Sequence, residues 1–490
     1  MARASQGERL AAAFPLSIKM AQKTTTLAHR ANPYLNILNL TVKSVTQYPE
    51  LTGQAGKGWR LMHSIKGAGM TIFRALRYWP LGIKLPKTTS AADVVIVSHL
   101  TNSSHLSLPS DFYFGGLAKA LSQAGFSTHT ILINHCRANS KDEANARRSG
   151  ISLLPAFLSP WAEVKLIFTM AVASLTLPKL NGSDAEKTFS RAARLAQFSS
   201  RAIGDMRIGT MVSTIIASLR PRVIIHTFEG HGWERIMTAS AHAMTPSPHV
   251  IGYQHAVLFP GLKSISYRHG NGADPDYIFT VGQITHDQLL RESEFDQMEI
   301  LGSVKSATST ASTGFTAIGA CLIAPEGTLN EVMIMAEQAI AAARITPDQT
   351  FILRLHPVLK RQQIDRMLMT FAPHPKNFII STVSLDEDFA RCSWLCYRGS
   401  TLAFQGMRSG LRPIYLNPDH AAVYNDPLPA KAGFRRVVDT AEDLVAMIQA
   451  DRNNPAEGAA EWHESRAIAE SYVMPLCPEV LIRHLNKVLS

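Results

Sequence analysis

The sequence predicts an α/β protein with two Rossmann-like domains that face each other across a cleft, preceded by a basic, mainly helical extension. Its 490 residues exceed the ~250–300 residues at which a single hydrophobic core stops growing. Hydrophobic residues make up 46% of the chain and charged residues 18%, which is enough apolar material for two cores. Two separate runs of alternating strand-like and helix-like segments indicate where these cores form.

The first alternating run extends over residues 91–303. The segment VVIVSHL at 94–100 is short and rich in β-branched residues, as in a buried strand, and a helix and a second strand at 127–135 follow it. Further strand-like segments occur at 223–227, 249–255, 276–282 and 298–303. Residues 91–303 are therefore predicted to form the first Rossmann-like domain, which would hold the acceptor.

The second alternating run follows residues 304–318, which are rich in Ser, Thr and Ala and are predicted to be a linker between domains. Strand-like and helix-like segments alternate again over residues 319–470, and residues 471–490 are predicted to form a C-terminal helix. In such doubly wound sheets the ligand crevice lies at the carboxyl ends of the strands. We therefore expect functional residues directly after strands.

The charge excess of the chain is concentrated in residues 1–90. They contain thirteen Lys and Arg against Glu8 and Glu50, so their excess of eleven equals the +11 of the whole chain. Such an extension is attracted to an anionic surface such as membrane headgroups, or it is simply solvated, and the sequence leaves both interpretations open. Nucleic acid is not an expected partner, because aromatic residues are not interleaved with the cations.

No run of 18 or more apolar residues is present, so we expect no transmembrane helix, and no signal peptide is evident. Residues 151–180 come closest to a membrane segment, but Pro155, Pro160, Glu163 and Lys165 interrupt them. The favoured interpretation is a helix from about residue 161 to residue 177 that packs in the core, and an interfacial helix is the alternative. We expect a cytoplasmic protein, with peripheral association at the inner face of the membrane as a further expectation.

The five cysteines are scattered without the spacing of a disulfide framework or a zinc site. We expect them to be reduced, and we expect neither a metal nor a cofactor.

The first cluster of candidate site residues, Thr227-Phe228-Glu229-Gly230-His231-Gly232, lies between a predicted strand and a predicted helix. A carboxylate with a raised pKa is a usual general base, so Glu229 is a candidate to deprotonate an acceptor hydroxyl. The alternative is that Glu229 or Glu234 caps the helix. His255 lies at the end of the next predicted strand, where its imidazole can hydrogen-bond a hydroxyl of the donor or acceptor or be satisfied within its own loop. The predicted acceptor or cleft residues are Gly230, His231, Gln254 and His255.

The second domain offers a histidine at a strand end, in Arg354-Leu355-His356-Pro357. Pro357 ends ladder pairing and places His356 in extended backbone at the sheet edge. There the imidazole can stabilise the charge of a leaving phosphate, which makes His356 the second predicted catalytic residue. A packed histidine before a turn is the alternative.

Two further segments of the second domain are candidates for phosphate or nucleotide binding. Arg398-Gly399-Ser400-Thr401 precedes a predicted helix, whose first N–H groups favour phosphate, although the hydroxyls also suit ordinary N-capping. Glu326-Gly327 follows the first strand of this domain. The predicted donor-binding residues are Arg354, Pro357, Glu326, Gly327, Arg398, Ser400 and Thr401.

Three dipeptides, Glu229-Gly230, His356-Pro357 and Ser400-Thr401, stand in an order that resembles the motifs of GT-B glycosyltransferases of bacterial surface-carbohydrate biosynthesis. The narrower resemblance is to the sialyltransferase, polysialyltransferase and Kdo-transferase group, and it covers roughly residues 91–420. That group commonly has two acidic residues before the glycine, and Phe228 stands at the first of these positions here.

This resemblance implies a GT-B fold, with Glu229 as the base and His356, Ser400 and Thr401 at the donor phosphate. It implies transfer of a sugar from a nucleotide-activated donor to a capsule or lipopolysaccharide glycan, or to a lipid-linked acceptor. The favoured donor is a CMP-linked acidic sugar such as Kdo or sialic acid. The alternatives are a UDP-, GDP- or dTDP-sugar transferase or a polyol-phosphate transferase of the same fold, and a non-catalytic glycan- or nucleotide-binding protein.

Overall fold

The structure is a computed structural model of the 490-residue chain. It describes residues 12–37, 48, 59–78, 91–139, 150–260, 262–307, 314–356, 359, 361–418, 426–428 and 436–490. The elements and contacts given below belong to these ranges.

Seven parallel strands form the first sheet, in the order β3-β2-β1-β4-β5-β6-β7. The strand order grows outward from β1 in both directions, so the topological switch point lies between β1 and β4. The bounds are β1 Val94–Leu100, β2 Thr128–Asn134, β3 Ile151–Leu153, β4 Val223–Thr227, β5 His249–Gln254, β6 Tyr277–Thr280 and β7 Met298–Ile300.

Six parallel strands form the second sheet, in the order β10-β9-β8-β11-β12-β13, with its switch point between β8 and β11. The bounds are β8 Ala320–Pro325, β9 Phe351–Leu353, β10 Phe378–Ile380, β11 Cys392–Arg398, β12 Arg412–Leu416 and β13 Val437–Val438. The prediction of two doubly wound domains is therefore confirmed.

Helices cover both sheets and build a separate layer between β3 and β4. Their bounds are α1 Phe14–Ala21, α2 Leu27–Arg30, α3 Trp59–Tyr78, α4 Leu117–Gln123, α5 Pro160–Thr176, α6 Asp184–Ala196, α7 Ser200–Leu219, α8 Gly232–His242, α9 Gln283–Glu292, α10 Leu329–Ile345, α11 Arg361–Leu368, α12 Leu385–Arg391, α13 Leu402–Arg408, α14 Ala441–Asn453, α15 Pro455–Tyr472 and α16 Pro478–Leu489. Short 3₁₀ turns occupy Ser103–Ser107, Val304–Ala307 and Met369–Phe371.

The end of the chain connects the two domains. Helix α15 packs on α13 and β12 of the second domain, whereas α16 returns to the first domain. There Leu481 and Leu485 join the apolar cluster around Phe114 and Tyr253. Between the two helices, the backbone N–H of Met474 donates to the carbonyl of Val281 at 2.8 Å. The C-terminal segment therefore ties the second sheet to the first.

Residues 13–37 of the N-terminal extension are packed rather than solvated, which corrects one of the two interpretations for this part of the segment. Phe14, Met20 and Tyr34 are buried in one apolar cluster with Phe189 of α6. Asn32 Nδ2 donates to the carbonyl of Ala193 at 2.8 Å. Burial of these side chains makes residues 13–37 part of the helical layer of the first domain.

Helix α5 occupies the segment that the sequence assigns to a core or an interfacial helix. Leu166 and Met170 face inward and contact the Ala202 and Ile203 region of α7. Its opposite face is exposed. In the described part of the chain, α7 is the helix long and apolar enough to cross a membrane, and half of its apolar window is buried inside the protein.

Candidate functional site

Four histidines surround Glu229 at the carboxyl edge of the first sheet. They come from four neighbouring strands: His99 lies in β1, His135 follows β2, His231 follows β4 and His255 follows β5. We call His99, His135, His231 and His255 the histidine cluster. It spans the switch point between β1 and β4, which is where doubly wound sheets bind ligands.

The Glu229 carboxylate lies between two imidazoles of this cluster. Its Oε2 is 3.1 Å from His231 Nε2, and its Oε1 is 3.3 Å from His255 Nε2. The Glu229 side chain keeps 34% of its surface exposed, whereas His255 keeps 8%. The carboxylate is therefore held in place but remains accessible from the cleft.

Helix capping in this loop is done by Glu234 and not by Glu229. The buried Glu234 carboxylate accepts from the backbone N–H groups of Glu229, Gly230 and His231 at 2.7 to 3.2 Å. This is a capping box with the glutamate at the third helical position. The sequence left open which of the two glutamates caps the helix. In the structure Glu234 does so, and Glu229 remains accessible from the cleft.

Gly230 is required by the shape of this loop. Its φ of +81° lies in the left-handed region that favours glycine. A Cβ at this position would lie 2.6 Å from the Cβ of Ser264, whose hydroxyl donates to the Glu229 carbonyl at 2.6 Å. The glycine therefore permits the close approach that fixes the backbone of Glu229.

The expected raised pKa of Glu229 is contradicted. Burial opposes its ionisation, but the hydrogen bond from His231, the charge that His255 gains in acid and the charge of His231 hold its pKa well below the ordinary value. Burial also opposes the imidazolium of His231, yet its bond to Glu229 and the nearby Glu234 carboxylate raise its pKa to about 9. The pair is therefore a carboxylate and an imidazolium at neutral pH. Burial raises the pKa of Glu234 to about 7.

The other members of the histidine cluster are neutral. Burial lowers the pKa of His255 to about 4, and it lowers the pKa of His99 well below the ordinary value. His99 Nε2 is 2.7 Å from Thr227 Oγ1, and its Nδ1 is 2.8 Å from His135 Nε2. His99 and His135 are not among the site residues predicted from the sequence, although both stand at the end of a predicted strand.

A cavity of about 230 Å³ joins the two domains at Glu229. From the first domain and the start of the linker it is lined by Glu229, His255, Tyr113 and Lys305, and from the second domain by Thr401 of the predicted donor site, among others. Lys305 Nζ lies 5.3 Å from the centre of the Tyr113 ring. Lys305 was also missed, because it falls in a segment that reads as a linker. The two sheets therefore share one cleft.

The architecture is the GT-B fold. It consists of two parallel doubly wound sheets whose carboxyl edges open on a common cleft, with a C-terminal helix that crosses back to the first domain.

Three of the predicted donor segments share one edge of the second sheet. Glu326-Gly327 follows β8, His356 follows β9, and Ser400-Thr401 follows β11, and these strands are neighbours in the order β9-β8-β11. His356 is exposed and lies two strands from β11, about 10 Å along the edge at the usual strand spacing. His356 is not among the described residues that line the cavity at Glu229. Pro357 lies outside the described residues.

Arg354 and Arg398 form ion pairs inside the second domain, and their assignment to donor binding stays a prediction. Arg354 Nη1 forms an ion pair with the buried Asp388. Arg398 is itself buried, and its Nε is 2.8 Å from Glu331 Oε2. A buried charge needs such a partner, so these guanidinium groups stabilise the sheet edge and do not present free cations to a ligand.

Gln254 is buried and is not among the described residues that line the cavity at Glu229. It is 1% exposed, and its Nε2 donates to the carbonyl of Ala256 in its own loop. Ser400 has a local role, because its hydroxyl accepts from the backbone N–H of Leu402 at 3.4 Å. Thr401 is exposed and lines the cavity, so its hydroxyl is within reach of a ligand there.

A second cavity, of about 450 Å³, lies beside the histidine cluster in the first domain. His99 lines one side of it, and most of its surface is apolar. The apolar side chains include Leu100, Leu106, Leu108, Phe112 and Phe114. In the described ranges, no group of three or more His, Cys, Asp or Glu residues is arranged to hold a metal ion.

No protein-family model matches this chain, and no curated protein does. The glycotransferase of kitacinnamycin is 13% identical, with 82% of this chain and 100% of that chain covered and a TM-score of 0.45. HepE of Anabaena, solved with UDP-glucose, is 10% identical, with 81% and 99% covered and a TM-score of 0.45. A putative UDP-N-acetylglucosamine 2-epimerase of Listeria monocytogenes is 12% identical, with 81% and 95% covered and a TM-score of 0.47. The fold assignment rests on the chain's own two sheets.

Proposed function

We propose that this protein is a glycosyltransferase that moves a sugar from a nucleotide-activated donor to a hydroxyl group bound by the first domain. The observation that carries the proposal is the position of Glu229. Its ionised carboxylate is held between His231 and His255 and opens into a cavity that Thr401 of the second domain also lines. A carboxylate held in this way can orient an acceptor hydroxyl toward a donor on the opposite wall.

The low pKa of Glu229 determines when it accepts the proton. A weak base does not deprotonate a free hydroxyl, but it accepts the proton once the hydroxyl oxygen has begun to bond to the anomeric carbon and has become strongly acidic. The new bond joins the acceptor oxygen to the anomeric carbon. The bond between that carbon and the donor phosphate breaks, and the nucleotide leaves with the electron pair.

The edge formed by β9, β8 and β11 is the proposed donor site. His356 would donate a hydrogen bond to the departing phosphate, and Thr401 would contact the phosphate from the cavity side. Glu326 and Gly327, on the strand between them, would contact the nucleotide. Because about 10 Å separates β9 from β11, a nucleotide sugar lying along the edge can reach both ends of it.

The favoured donor remains a CMP-linked acidic sugar such as Kdo or sialic acid. Lys305 supports this choice, because it brings positive charge to the cavity beside Glu229, where it suits a sugar carboxylate. The alternatives are UDP-, GDP- and dTDP-sugars or a polyol-phosphate donor. A thermal-shift series with CMP, UDP, GDP and dTDP separates them, because the nucleotide that binds the native state raises the unfolding temperature.

The proposed acceptor is a surface glycan or a glycolipid with an apolar part. The cavity beside His99 supports this proposal, because its lining is mostly apolar and it adjoins the histidine cluster. Pockets of this kind bind apolar groups through burial and orient them through a few polar contacts.

Mass spectrometry of products formed from a panel of activated sugars tests the proposal. We expect transfer by the native protein and about 10³-fold slower transfer by the Glu229→Gln variant, with both proteins folded. A native protein that binds a nucleotide but transfers no sugar to any acceptor of the panel would favour the non-catalytic binding protein instead. Full transfer by the variant would remove the role of Glu229.

A further inference from the structure

Helix α3 exposes its large apolar residues and buries its small ones. Ser64, Ala68, Thr71 and Ala75 recur at helical spacing on the side that faces the protein. The Ser64 hydroxyl donates to the carbonyl of Leu195 at 3.1 Å. The outer side carries Leu61, Met62, Ile65, Met70, Phe73 and Leu76, with exposures between 39% and 69%. This is the reverse of a helix whose apolar face fills a core.

Helix α5 is apolar on both sides. Leu166 and Met170 are buried against α7, and a second stripe on the opposite side is exposed. That stripe is formed by Trp161, Val164, Phe168, Val172 and Leu175, with exposures between 37% and 76%. Its spacing of three and four residues places these side chains along one line of the helix.

The two exposed stripes belong to one surface. Helices α3 and α5 contact each other, and both rest on α6 and α7, so their outer sides face away from the same support. The eleven side chains of these stripes are almost half of the twenty-four large hydrophobic residues that are exposed in the described part of the chain. An apolar surface so concentrated marks an interaction site. We call it the α3–α5 face.

The charges on the α3–α5 face are basic. Helix α3 contains no Asp or Glu, and the exposed cations among its described side chains are Lys66, Arg74 and Arg77. Helix α5 exposes Lys165, and its only acid, Glu163, is buried and paired with Arg207. In helical projection, Lys66 and Arg77 lie between Phe73 and Met70 at one margin of the apolar stripe, and Arg74 lies between Met70 and the buried side.

We propose that the α3–α5 face docks on the surface of an anionic phospholipid bilayer. Exposed Trp, Phe and Leu side chains insert at the boundary between headgroups and acyl chains, while Lys and Arg beside them pair with anionic headgroups. The helices lie on the membrane and do not cross it, because their other side is packed on α6 and α7. This docking is independent of the proposed transfer, although it would bring the cleft close to a lipid-linked acceptor.

A second copy of the chain fits this face less well. Self-association would bring Lys66, Arg74 and Arg77 of one copy close to the same cations of the other, and neither helix exposes an acid to pair with them. Like charges that face each other across an interface oppose association. An anionic bilayer offers its acyl chains to the apolar side chains of the face and its negative headgroups to the cations.

The test is co-flotation of the full-length protein with vesicles. One set contains phosphatidylcholine and phosphatidylglycerol, and the other contains phosphatidylcholine alone. We expect binding to the anionic vesicles, weaker binding at high salt, and at least about tenfold weaker binding to the neutral ones. The Phe73→Glu/Phe168→Glu variant is expected to lose at least about tenfold in binding to anionic vesicles.

The matched control is Leu290→Glu/Ile345→Glu, which makes the same chemical change at two exposed apolar residues elsewhere, 52% and 46% exposed. We expect this control to bind anionic vesicles within about twofold of the native protein. That margin includes a small loss due to its added negative charge. All four side chains are exposed, so the unfolding temperature of each variant checks that the fold is intact. Both variants should transfer sugar to a water-soluble acceptor as the native protein does, so failure of docking and failure of transfer are distinguishable.

Three results would overturn the docking proposal. One is a native protein that does not bind the anionic vesicles. Another is a Phe73→Glu/Phe168→Glu variant that binds them as well as the native protein does. The third is a native protein that is dimeric by sedimentation and becomes monomeric in this variant, without vesicle binding, since that would assign the face to a second copy of the chain.

Discussion

The carboxyl edges of the two sheets differ in how their polar side chains are used. At the first edge, Glu229 and the histidine cluster contact one another and open into the cleft. At the second edge, Arg354 and Arg398 pair with acids of their own domain, and the exposed groups are His356 and Thr401. The polar side chains of the first edge are therefore held in contact with one another. At the second edge the arginines are paired, and His356 and Thr401 face the site proposed for the donor.

The largest expected effect is at Glu229. Glu229→Gln keeps the size of the side chain and removes its charge, so we expect the turnover number to fall about 10³-fold, within the range for loss of a general base. The free energy of unfolding should fall by on the order of 2 kcal/mol, because His231 loses the carboxylate that stabilises its imidazolium, whereas the helix cap formed by Glu234 is kept. A stopped assay of transfer, run beside thermal unfolding, measures both. A fall in stability without a fall in turnover would mean that Glu229 has a structural role, as Glu234 does, and no catalytic one.

Arg398 gives the next largest effect, on stability. Arg398→Met leaves the buried Glu331 carboxylate without its cation, so we expect a loss of about 3–5 kcal/mol in the free energy of unfolding. Denaturant unfolding measures this loss. The double variant Arg398→Met/Glu331→Gln is the control, and it should recover part of the stability. Unchanged stability of Arg398→Met together with weaker nucleotide binding would mean that Arg398 binds the donor.

His356 is expected to show the opposite behaviour. It is exposed, so His356→Ala should leave the unfolding temperature nearly unchanged. We expect its turnover number to fall about 10²-fold, as for removal of one donor to a developing negative charge. If turnover is unaffected, the second edge contributes no catalytic group at this strand.

The smallest effect concerns His231 and pH. Its pKa rises from the ordinary 6.5 to about 9 in the folded protein, so its contribution to stability is complete below pH 6.5 and is lost as the pH rises through 9. Between pH 6.5 and pH 9 the free energy of unfolding of the native protein should fall by on the order of 2 kcal/mol relative to that of His231→Gln. Unfolding of both proteins at several pH values measures the difference. A constant difference would mean that His231 is not an imidazolium.

The strands of both sheets could be predicted from the sequence because buried parallel strands are continuous apolar runs. The bounds of β1, at Val94–Leu100, and of β4, at Val223–Thr227, are those expected from their β-branched residues. The position of Glu229 after β4 follows from the same pattern. The roles of the arginines do not, because Asp388, the partner of Arg354, is 34 residues away in the chain.

The lowered pKa of Glu229 and the exposed side of α5 could not be predicted for related reasons. The pKa depends on His255, which lies on a neighbouring strand, and periodicity does not place that ring against the carboxylate. A helix with apolar residues on two sides satisfies the pattern of a core helix. Only the packing on α6 and α7 shows which of its two sides is buried.

The most direct test of the division between the two edges is the nucleotide dissociation constant of Glu229→Gln and His356→Ala, measured by calorimetry under identical conditions. We expect Glu229→Gln to bind the preferred nucleotide within about twofold of the native protein. We expect His356→Ala to bind it at least about tenfold more weakly, because one hydrogen bond to a charged phosphate is lost. Equal affinity of His356→Ala and the native protein, or a large loss for Glu229→Gln, would contradict this account.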